Sequence, residues 1–101
     1  MKSVKPLPTP TNPLLANAQE LGAHIRAART QSGLTLEEAA LSVGVAKQTM
    51  QNIETNPATV GLGTVMMVAR ALGVSLFAVQ SEQQERARRL LSSEPVPAKE
   101  A

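Results

Sequence analysis

The chain has 101 residues, enough for one domain with a modest core, and it carries no cysteine, which excludes disulfides, thiolate metal sites and thiol nucleophiles. Its formal net charge is +2, yet between Leu14 and Gln80 the cations Arg26, Arg29, Lys47 and Arg70 are balanced by Glu20, Glu37, Glu38 and Glu54. The surplus lies in Lys2 and Lys5, so net charge alone is weak evidence for a nucleic-acid partner.

Residues 1–13 hold Pro6, Pro8, Pro10 and Pro13 among Lys, Ser and Thr, a composition with little to bury, and a disordered arm is expected there. The opening residues lack the apolar stretch of a secretory signal and no apolar run is long enough to cross a bilayer, so a cytoplasmic protein without membrane association is expected. Leu21, Ile25 and Ala28 then recur at helical spacing behind a capping-box pattern of Asn17 and Glu20, predicting a helix from Ala18 to Ser32 that stops at Gly33. Thr35 and Glu38 repeat the pattern ahead of a short helix with a narrow face of Ala39, Ala40 and Val43, ended by Gly44. A third helix runs from Ala46 to Glu54 and breaks at Asn56-Pro57. Two short helices joined tightly through a glycine outline a helix-turn-helix.

Leu62, Val65, Met66, Ala69 and Leu72 predict a fourth helix that stops at Gly73. Residues 74–80 are β-branched and aromatic for their length; a strand or a last helical turn fits, and a strand is preferred. Ser81 and Gln84 are placed to cap a final helix carrying Ala87, Leu90 and Leu91, closed by Pro95 and Pro97, with residues 95–101 expected to be disordered. The fold class expected is all-α, a compact helix-turn-helix bundle of four to five helices over residues 14–80, with an arm over 1–13 and a tail over 81–101.

The third helix carries the functional signal. At about 100° per residue, Ala46, Met50 and Ile53 share one side, while Lys47, Gln48, Gln51 and Asn52 fall within an arc of about 140° on the other. Amides pair bidentately with the major-groove edge of adenine and Lys meets the acceptors of guanine, so this set suits direct base readout. A solvated helix face has the same composition; what favours recognition is the position directly after a short helix and a glycine turn. The N-terminus of either motif helix also suits a phosphate without formal charge.

The stretch Leu34-Thr35-Leu36-Glu37-Glu38-Ala39-Ala40 through Gly44-Val45-Ala46-Lys47-Gln48-Thr49-Met50-Gln51-Asn52-Ile53-Glu54 resembles the phage-repressor-like (Cro/C1, XRE) helix-turn-helix family, and the match continues to Leu72-Gly73-Val74. Within it the chain is most similar to the DNA-binding antitoxins of Hip-type toxin-antitoxin pairs, through Asn52-x-Glu54-x-Asn56-Pro57 and the spacing to Leu62, Leu72 and Ser75. The resemblance implies a homodimer on a two-fold symmetric operator in double-stranded DNA, with recognition residues Lys47, Gln48, Thr49, Gln51 and Asn52, and a Hip-type kinase toxin as a further partner. It also implies that residues 75–80 form a strand pairing with its copy across the dimer, a role open to Leu76, Phe77 and Val79. The chain departs from the family at Leu36, where a phosphate-binding Gln is common, at Ala46, where a hydroxyl residue is preferred, and at Ala39, where Leu is preferred.

The other chemistry-bearing residues have plainer readings. His24 is the one histidine and has no second ligand type near it in sequence, so it reads as a surface residue. Arg26 and Arg29 suit phosphate contacts or a solvated face equally; Glu54 reads as an anchor bonding a backbone or an Arg such as Arg29; Met50, Met66 and Met67 read as core fillers. The Arg86-Ala87-Arg88-Arg89 cluster reads as an exposed helical tail. With no Asp, Cys or Tyr and one His, and with Val60-Gly61-Leu62-Gly63 lacking a third glycine and a preceding strand, neither an enzyme nor a cofactor is expected. The function expected is a dimeric transcriptional repressor, with a protein-interaction adaptor on the same fold as the alternative.

Overall fold

The computed structural model describes residues 3–91. Five helices follow in order: α1 (Ala18–Gln31), α2 (Leu36–Val43), α3 (Lys47–Thr55), α4 (Leu62–Ala71) and α5 (Gln84–Leu91), with single 3₁₀ turns at Pro57–Thr59 and Ser81–Gln83. The expected bundle is present, with helix ends within a residue or two of expectation except at α5. There Gln80 precedes a 3₁₀ turn without a side-chain cap, so the Ser81 and Gln84 capping box is not made.

Short-range chemistry accounts for the helix ends. Asn17 accepts the Glu20 N–H at 3.0 Å, while the Glu20 carboxylate accepts the N–H of Ala16, one residue outside the expected box. At α2 the box is complete: Thr35 Oγ1 accepts from Glu38 N and Glu38 Oε1 accepts from Thr35 N. α1, α2 and α4 close alike. Gly33, Gly44 and Gly73 take φ of 77°, 81° and 89°, and the residue after each, Leu34, Val45 or Val74, donates its N–H to Arg29, Ala40 or Ala69. All three following residues are half-buried against the core, the apolar contact that accompanies this kind of helix end.

The core joins Leu21 and Ile25 of α1, Ala39 and Ala40 of α2, Met50 and Ile53 of α3, and Val65, Val68 and Ala69 of α4. Leu36 packs half-buried against this cluster and forms part of the core rim. Two further features bind α1 to α3. Gly22 lies so close to the end of α3 that a Cβ there would sit 2.5 Å from the Glu54 carbonyl oxygen and 2.8 Å from that of Ile53. Arg29 and Glu54, both buried, form a bidentate pair: Nε donates to Oε2 at 2.5 Å and Nη2 to Oε1 at 3.0 Å, while Nη1 donates to the Leu34 carbonyl at 2.8 Å. The anchoring reading of Glu54 is the one the structure has, and Arg29 is thereby turned away from any phosphate.

Three expectations are corrected. On α4 the buried face is Val65, Val68 and Ala69; Leu62, Met66 and Met67 are exposed instead of filling the core. Residues 74–80 form no regular element, and no strand occurs among the described residues, because nothing in the single chain runs alongside them to complete a ladder. The proline-rich arm, where no fixed contacts were expected, lies on α1: Leu7 N donates to Thr30 Oγ1 at 3.0 Å, Gln31 Nε2 donates to the Leu7 carbonyl at 2.7 Å, and His24 Nε2 is 3.1 Å from the Asn12 carbonyl. Side-chain donors on α1 serve arm carbonyls that no neighbouring backbone strand serves, and Leu7 and Pro10 are half-buried in the process. The expectations for Lys2 and for residues 95–101 fall outside the described residues.

Candidate nucleic-acid interface

α3 is held from one side and free on the other. Met50 and Ile53 are fully buried, and Glu54 is locked to Arg29, which fixes the rotation of the helix about its own axis. That rotation sends Lys47, Gln48 and Gln51 outward as exposed side chains, with Thr49 and Asn52 half-buried beside them. Lys47, Gln48, Gln51 and Asn52 therefore lie on the outer side of one short helix, with Thr49 at its edge beside the buried Ile53. Ala46, expected on the apolar side, is the exposed N-cap and makes no side-chain cap bond.

The two helix starts in the motif differ electrostatically. α2 begins with Glu37 and Glu38, and Glu38 is committed to the Thr35 box, so its positive dipole end already faces carboxylates. α3 begins with Lys47 and has no acidic residue in its first turn. Of the two starts considered from sequence, the α3 start alone keeps its charge compatible with an anion. Arg26 on α1 is exposed, whereas Arg29 is sequestered.

Within the outer face, Gln48 Nε2 donates to Asn52 Oδ1 at 3.1 Å, and Thr55 Oγ1 donates to the Gln51 carbonyl at 2.9 Å. The first of these bonds was not visible as a pattern, although residues four apart on a helix are within reach.

A second surface lies away from α3. Leu14, Leu15, Leu62, Met66, Phe77 and Val79 line an open groove of about 550 Å³, and Phe77 is 74% exposed and Leu62 69%. Its signal in the sequence was Leu14-Leu15 ahead of the first helix together with an α4 that is apolar on more than one side. Among the described residues no group of three or more His, Cys, Asp or Glu side chains comes together, and no helix is long and apolar enough to cross a membrane.

A family model described as helix-turn-helix matches residues 25–79, more than half of the chain. Solved structures similar to the chain include one titled as a HipA-HipB-O2-O3 complex, at 25% identity and a TM-score of 0.60, covering 67% of this chain and 96% of that one. Another is titled as a HipB-O4 20mer complex, with the same identity, TM-score and coverage. No curated protein matches the chain.

Proposed function

This chain belongs to the Cro/C1-type helix-turn-helix family, and on that footing we propose that it is a sequence-specific double-stranded DNA-binding repressor that acts as a homodimer. Lys47, Gln48, Thr49, Gln51 and Asn52 enter the major groove, and the observation that carries this reading is the fixed rotation of α3. Core burial of Met50 and Ile53 with the Arg29 and Glu54 pair holds the polar side outward as a rigid set. The compact part is neutral, so affinity rests on this set and on local cations such as Lys47 and Arg26.

The dimer is supported by the exposed groove and by residues 74–80. Their side chains include the exposed Leu76, Phe77 and Val79, an apolar surface suited to covering by a second copy. The similarity to a HipA-HipB complex supports a further partner, a Hip-type kinase toxin, with this chain as the antitoxin and autoregulator of such a pair, acting in the cytoplasm.

Substitution on the two surfaces tests the reading. Lys47→Ala and Gln51→Ala should each weaken binding to duplex DNA from the chain's own upstream region by roughly 1–3 kcal/mol while leaving thermal unfolding unchanged. Phe77→Asp should shift sedimentation from dimer to monomer. Unchanged affinity in both α3 variants would refute the groove assignment, and a monomeric wild-type protein would refute the dimer.

A further inference from the structure

Two of the polar side chains on α3 are engaged with each other, and the bond has a direction. Gln48 Nε2 is the donor and Asn52 Oδ1 the acceptor, 3.1 Å apart. A primary amide offers one oxygen and two N–H donors. With the bond made, exposed Gln48 keeps its Oε1 acceptor and one N–H, whereas half-buried Asn52 has one lone pair of its oxygen engaged and keeps both N–H donors. The internal bond also holds the Gln48 amide, which otherwise rotates freely at the end of a long side chain, in one orientation.

We propose that Gln48 and Asn52 form a single reading unit with fixed polarity. The Gln48 Oε1 and free N–H are complementary to the N6 donor and N7 acceptor of adenine, the bidentate pair that an amide makes in the major groove. Asn52, presenting donors, selects an acceptor edge, either O6 and N7 of guanine or O4 of thymine. Four residues of helix rise about 6 Å, so the second base lies one or two base pairs from the first. Asn52 thus determines specificity at two places: directly at its own base, and as a positioning residue at the base read by Gln48. The inference rests on the DNA-binding reading above and adds to it which bases are read and how one residue orients another.

The test enriches preferred duplexes from a randomised double-stranded pool with the full chain, then measures single-base preferences for wild type, Gln48→Ala, Asn52→Ala, Asn52→Asp and the Gln48→Ala/Asn52→Ala double variant. Gln48→Ala should erase an adenine preference at one base pair. Asn52→Ala should lose its own base preference and also weaken the adenine preference at the Gln48 position by roughly tenfold. Asn52→Asp retains an acceptor for Gln48, so it should keep the adenine preference while its own position turns toward a donor edge such as cytosine N4. The double variant should lose less than the product of the two single losses. Independent effects, with adenine still preferred in Asn52→Ala, would overturn the reading unit while leaving DNA binding intact. Loss of the adenine preference in Asn52→Asp would show that the bond runs the other way and would also overturn it. A wild-type protein that enriches no sequence would remove the DNA reading and this inference together.

Discussion

Replacing Gly22 with alanine sets two effects of opposite sign against each other. Gly22 is buried in the interior of α1, where helix propensity alone would reward alanine by about 1 kcal/mol. The new Cβ, however, would meet the Glu54 and Ile53 carbonyl oxygens at 2.5 and 2.8 Å. Both obstacles are backbone atoms at the end of α3, so neither can rotate aside, and α1 and α3 must separate. Overpacking of this kind costs about 1–3 kcal/mol, and the rigidity of the obstacle places it at the upper end, which leaves a net loss of about 2 kcal/mol. For a domain this size that lowers Tm by roughly 8–16 °C. Gly63→Ala is the matched control, because nothing lies within 4 Å of a Cβ built there, and it should stabilise by about 0.4–1 kcal/mol. Urea unfolding followed by circular dichroism, with every variant at one fixed protein concentration so that self-association contributes equally, reads both. If Gly22→Ala stabilises as Gly63→Ala does, the close approach of α1 to α3 is not a constraint and the reasoning fails.

The buried Arg29 and Glu54 pair gives a second test: Arg29→Met or Glu54→Leu alone should cost about 3–5 kcal/mol in urea unfolding, and the double substitution much less than their sum, since each single change strands a buried charge. Thr35→Ala removes the cap on α2 and should cost about 1 kcal/mol in the same assay. Thr30→Val deletes the acceptor for the Leu7 N–H, and limited proteolysis should then cut the arm faster without a change in the rate of cleavage within α3.

Features governed by neighbours a few residues apart are legible in the sequence. The glycine stops at Gly33, Gly44 and Gly73 and the Thr35 and Glu38 box are local chemistry, and each appears where expected. The outer face of α3 was equally legible, because Met50 and Ile53 have no other place to go than the core. α4 was not, since its apolar residues surround much of the helix and spacing alone does not decide which stripe faces inward. Packing into the shared core selects Val65, Val68 and Ala69, and Leu62 and Met66 are left for the groove. Gly22 gave a faint signal, a lone glycine inside a helical pattern, whose cost in propensity asks for a packing reason. The reason is the carbonyl end of α3, thirty or so positions away along the chain and invisible to any local pattern. Residues 74–80 have strand-like composition without a strand, because pairing needs a second extended segment that the single chain does not place beside them.

The central claim, that the outer face of α3 reads DNA sequence, is tested most directly by titrating the full chain into duplex DNA from its own upstream region at two salt concentrations, beside a scrambled duplex of equal length. The account predicts tighter binding to the native duplex, with affinity falling as salt rises in proportion to the phosphates contacted. Equal and weak binding to both duplexes at both salts would contradict it, and would leave the helix-turn-helix as a scaffold for protein contacts.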